Sequence, residues 1–124
     1  MELKLFQPIV VILIISLSYG TSAVAGTYEQ QRFRLADILG TLSVLDFLCH
    51  GDRAEDWQSK IKTLLESDDP SDDERQQIVG RYNRNKRSAL RIHTHCTPAA
   101  LIAIERLSTE GSQLAREMSL LTGR

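Results

Sequence analysis

From Tyr28 onward the apolar residues recur at three- and four-residue spacings, and no segment sustains an alternation of period two. Such spacing predicts amphipathic helices and argues against strands. Leu35, Ile38, Leu39, Leu42, Leu45 and Cys49 share one face of a helix predicted from about Tyr28 to Cys49, with His50-Gly51 as its stop. Asp52-x-x-Glu55 reads as a capping box opening a second helix, whose stripe is Trp57, Ile61, Leu64 and Leu65. Asp68-Asp69-Pro70 ends it. Ser71-x-x-Glu74 is another capping box, with Asp72 and Asp73 in a first turn where the helix dipole favours acids. The third helix is predicted to reach about His95, with Ile78, Tyr82, Ala89, His93 and Cys96 on one face. Thr97-Pro98 then reads as an N-cap followed by proline at the first helical position. The fourth helix carries Ala100, Ile104, Leu107, Gly111, Leu114, Met118 and Leu121 in alternating steps of four and three. Leu42 and Leu107 lie mid-stripe, and Gly111 predicts the close approach of a neighbour. Four such helices on short connections predict an all-α fold, a small antiparallel four-helix bundle of up-down-up-down order.

The first 25 residues stand outside this pattern. Met1-Glu2-Leu3-Lys4 leads into a largely apolar run from Ile9 to Leu17, and Ala23-Val24-Ala25 follows. That is the layout of a secretory signal peptide, residues 1–25, cleaved after Ala25. The run is far shorter than the roughly 20 residues a spanning helix needs, so no transmembrane anchor is expected after cleavage. The remainder, 26–124, is expected to be one helical domain. Its place after export would be an oxidising compartment.

Export changes the meaning of the two cysteines. In the alternating bundle the first helix ends at Cys49 and the third near Cys96, which puts both at one pole. One disulfide, Cys49–Cys96, is therefore expected. No C-x-x-C is present, which argues against a thioredoxin-like site. The rival reading is a metal- or redox-handling pole made of Cys49, His50, His93, His95 and Cys96. Helix geometry opposes it, since residues two apart point about 200° from each other. His93 and His95 converge only if the third helix unwinds before His93. No metal and no cofactor is expected.

The net charge of −1 conceals a split. Residues 26–74 carry five basic and twelve acidic groups, and residues 75–124 carry nine basic and three acidic. Arg84, Arg87 and Arg91 form a stripe opposite the third helix's apolar face. For an exported protein, nucleic acid is not the expected partner; anionic lipid head groups or acidic envelope polymers are better ones. The plainer reading is a solvated face that pairs with the acidic first half. Phe33, Ala36, Gly40, Val44 and Phe47 give the first helix a second apolar face. It would serve a second neighbour within the bundle or, alternatively, a partner protein. The chain has no serine-nucleophile elbow, no H-E-x-x-H and no phosphate-binding glycine loop, so no catalytic residue is assigned.

Several strings also carry a resemblance. Arg34-Leu35-Ala36-Asp37-Ile38-Leu39-Gly40, Leu48-Cys49, Cys96-Thr97-Pro98-Ala99-Ala100, Ala103-Ile104-Glu105-Arg106 and Glu110-Gly111 together resemble a family of small exported proteins of Gram-negative bacteria whose function is uncharacterised. The resemblance implies a periplasmic setting and a paired-cysteine architecture, and it transfers no activity. His50, His93 and His95 are not part of its pattern. The expectation is thus a non-catalytic interaction or envelope-accessory module.

Overall fold

The computed structural model describes residues 27–67 and 69–121. The expected signal peptide, residues 1–25, lies outside these residues. Four helices follow in order: α1 (Tyr28–His50), α2 (Trp57–Glu66), α3 (Asp72–Ile92) and α4 (Pro98–Leu121). A single 3-10 turn, Gly51–Arg53, joins α1 to the approach of α2. No strand occurs among the described residues.

The helix ends follow their capping chemistry, though not always at the expected residues. α1 opens on a capping box that the sequence reading did not pick out. Thr27 Oγ1 accepts from the Gln30 amide at 3.2 Å, and Gln30 Oε1 accepts from the Thr27 amide at 3.1 Å. It closes at Gly51, whose φ of 55° is a conformation glycine adopts without a side-chain clash. The expected Asp52 box does not form. Asp46, on the last turns of α1, takes the Glu55 amide at 2.9 Å and the Trp57 indole at 2.8 Å, which pins this segment before a helix can start. Asp56 is the N-cap instead, accepting from the Ser59 amide at 3.0 Å.

Ser71 caps α3 as expected, accepting from the Glu74 amide at 3.2 Å. The Glu74 carboxylate turns away to Arg32. α3 stops at Ile92, three residues short of its expected end. His93 is extended, and the chain turns there toward Cys96 and α4. Thr97 caps α4 through the Ala100 amide at 3.0 Å, with Pro98 as the first helical residue.

Contacts along the chain give the helix directions. Arg32–Glu74, Asp37–Arg81 and Cys49–Cys96 keep a nearly constant offset, so α1 and α3 run parallel. Gln31–Glu117 and Arg34–Glu110 run in opposite order, so α4 is antiparallel to α1. Arg32–Ser67 and Asp46–Trp57 set α2 antiparallel to α1. The helices alternate in direction, and α1 is the central one. α1 contacts all three others, and the close backbone approach of α4 is to α1.

The reason lies in the two apolar faces of α1. Leu35 and Ile38 lie against Gly111 of α4, and Gly40 lies against Tyr82 and Asn85 of α3. Burial therefore runs around α1 and takes in Ala36, Ile38, Leu39, Leu42, Val44 and Leu45. Ala36 and Leu39 form the main cluster with Ile61 and Leu64 of α2, Ile78 and Tyr82 of α3 and Met118 of α4.

Candidate functional site

The candidate site lies on the outward face of α3 and at the pole where α1 and α3 end. Ile78, Tyr82 and Ala89 are the buried residues of α3, and Arg84, Arg87 and Arg91 project from the opposite side. All three arginines are exposed, and none is in an ion pair among the described residues. Pairing of this stripe with the acidic first half is not observed. Two acids of that half are engaged elsewhere. Asp37 holds Arg81 at 2.9 Å and Asn85 at 2.9 Å, and Glu74 holds Arg32 at 3.2 Å. Arg81 also lies over the Phe33 ring, 5.0 Å from its centroid.

The second apolar face of α1 divides between these surroundings. Ala36, Gly40 and Val44 are buried, with Gly40 directly under the α3 backbone. Phe33 is half-buried beneath Arg81. Phe47 is 63% exposed, so of the five it is the residue open to solvent.

At the pole, Cys49 and Cys96 form the disulfide, and no cysteine is free. α3 does unwind before His93, the condition under which the histidines were expected to converge. Even so, no group of three His, Cys, Asp or Glu side chains able to hold a metal occurs among the described residues. His50 Nδ1 lies 2.6 Å from Asp46 Oδ1, and His95 Nδ1 lies 3.1 Å from Thr94 Oγ1.

Two buried polar centres went unread in the sequence. Burial pushes the Asp46 carboxyl up, but hydrogen bonds from the Glu55 amide, the Trp57 indole and His50 outweigh it, so its pKa falls below the ordinary 3.8. Arg32, 3% exposed, gives Nη2 to the Ser67 carbonyl at 2.7 Å and Nη1 to Glu74, and sits over the Tyr28 ring. The two centres hold the two ends of α2 against α1. Neither has a signal in one-dimensional periodicity, because each joins segments that only the fold brings together. Their partners within the fold assign them to architecture, although Arg32 Nε is buried without a hydrogen-bond partner among the described residues. The exposed arginines are left as the groups with unspent binding capacity.

A family model described as a protein of unknown function, DUF2385, matches residues 27–120. No curated protein and no solved structure matches the chain.

Proposed function

The chain belongs to the DUF2385 family, whose function is unknown, and from that premise we propose that it is a non-catalytic binding module of the bacterial envelope. In this reading residues 1–25 direct export and are removed, and the mature domain works in the periplasm. Its ligand is an anionic envelope component met by Arg84, Arg87 and Arg91. The observation carrying the proposal is the stripe itself: three exposed arginines, free of ion pairs among the described residues, opposite the buried face of α3. The Cys49–Cys96 bond supports an oxidising compartment, where such bonds persist. No helix among the described residues is long and apolar enough to cross a membrane, so contact with a lipid surface would be peripheral.

Flotation with phosphatidylglycerol-containing vesicles tests this directly. Binding is expected at low salt, weakening as salt rises, because the attraction between exposed charges is screened over about 10 Å at 0.1 M. Replacing Arg84, Arg87 and Arg91 by Gln is expected to abolish it without a change in helix content. Equal binding by the parent and the triple variant, or binding by neither, would reduce the stripe to a solvated surface.

A further inference from the structure

Beside the arginine stripe an open hollow of about 420 Å³ lies between the end of α1, the approach to α2 and the second half of α3. That volume falls within the range of small-molecule sites, which are mostly apolar with a few placed polar groups. Val44, Phe47 and Leu90 supply apolar walls, and Tyr82 and Trp57 also line it. Phe47 and Leu90 are 63% and 54% exposed, so the mouth of the hollow is apolar surface that no other element of the described fold covers.

The polar groups around the hollow are not equally available. Glu55 pairs with Lys60 at 3.0 Å, and Asp56 caps α2 through the Ser59 amide. Ser43 donates to the Gly40 carbonyl at 2.7 Å. Lys86 is half-buried and has no ion-pair partner among the described residues. Tyr82 is largely buried, and its hydroxyl makes no hydrogen bond to the described residues. Lys86 and Tyr82 thus bring an ammonium and a phenol, both donors, to the same apolar hollow, whose rim also carries the Gln58 amide.

We infer that this hollow binds a small amphipathic carboxylate, its head held by Lys86 and the Tyr82 hydroxyl and its apolar body against Val44, Phe47 and Leu90. Charge complementarity selects the head group. A carboxylate accepts from both donors, and a hydrogen bond between charged partners is about twice as strong as a neutral one. The apolar walls select a hydrocarbon body. The two acids on the rim are already engaged, which leaves the head to Lys86. The inference stands independently of the arginine stripe, since none of the three arginines lines the hollow.

The probe is decanoate below its micelle concentration, with decan-1-ol as its uncharged counterpart. Binding to the protein purified from cells expressing the full chain is followed by calorimetry and by fluorescence of Trp57, the chain's single tryptophan. The expected result is saturable one-to-one binding of decanoate, with decanol at least tenfold weaker. Lys86→Gln is expected to weaken binding at least tenfold, and Tyr82→Phe several-fold. Leu90→Asp, at an exposed position, is expected to abolish it with helix content unchanged. The Arg84, Arg87 and Arg91 triple Gln variant is expected to keep decanoate binding while losing vesicle binding. No saturable binding, or equal binding by decanol or by Lys86→Gln, would overturn the inference. Loss in the triple arginine variant with retention in Leu90→Asp would also overturn it, by placing the anion on the stripe.

Discussion

A methyl group added at Gly40 would run into the backbone carbonyl oxygen of Tyr82, with Asn85 Cβ only 3.1 Å away. A backbone carbonyl inside a helix cannot step aside, so α1 and α3 would have to part. Overpacking of this kind costs about 1–3 kcal/mol and sometimes more. The gain in helix propensity from Gly to Ala returns at most about 1 kcal/mol. Gly40→Ala is therefore expected to lower the urea midpoint. Gly111→Ala is expected to raise it or leave it unchanged. A Cβ there would meet Ile38 at 3.4 Å and Leu35 at 3.6 Å, close to ordinary contact distance, while gaining the same propensity. The sequence reading marked Gly111 as the close approach because it lies mid-stripe. Position in a stripe gives a direction and not a distance, which is why Gly40 went unmarked. Burial separates the two mid-stripe leucines in the same way. Leu42 is 1% exposed, so Leu42→Ala is expected to cost about 2–5 kcal/mol. Leu107 is only half-buried, and its truncation is expected to cost less than that of Leu42 in the same denaturation series.

At the scale of the element, α2 is short and depends on what α1 offers at each end. Asp46 receives the Glu55 amide and the Trp57 indole, and Arg32 reaches the Ser67 carbonyl. Asp46→Asn keeps one oxygen for several donors and is expected to cost about 1.5–3 kcal/mol, the worth of hydrogen bonds to a charged group. The sign with pH follows from a folded pKa held below 3.8. A lowered carboxylate pKa contributes stability that is present above the unfolded value and lost as pH falls through the folded one. The stability gap between parent and variant is thus expected to be full above about pH 5 and to shrink below pH 4. A gap independent of pH would mean that the carboxylate charge is not what holds α2. The stripes of all four helices and the caps at Ser71 and Thr97 were legible because they depend on local spacing. The start of α2 and the end of α3 were not. Asp46 displaces the first from across the fold, and the turn into Cys96 cuts the second short. The Arg34–Glu110 pair joins α4 to α1 at 2.7 Å, and its hydrogen bond lowers the Glu110 pKa. Both side chains are more than 40% exposed, so Arg34→Gln is expected to cost less than about 1 kcal/mol.

On the scale of the whole molecule, α4 makes its close backbone approach to α1. The charge split between the halves did not foretell this layout. Among the described ion pairs, only Asp37–Arg81 joins an acid of the first half to a base of the second. The cysteine pairing was legible because an alternating helix order places both residues at one pole. The bond closes a loop between residues 47 apart in sequence. By the chain-entropy model such a loop contributes about 4 kcal/mol, mainly by restricting the unfolded chain. It also joins the end of α1 to Cys96, two residues before α4 begins, and so holds the start of α4 to α1. Cys49→Ala with Cys96→Ala should therefore do more than lower the global midpoint. Amide exchange should quicken first in α4, while the α1–α3 interface, with the buried Ile78, Tyr82 and Gly40 contact, keeps its protection until global unfolding. Uniform acceleration across all four helices would instead mean that the domain opens as one unit. In that case the disulfide would act on the unfolded state alone.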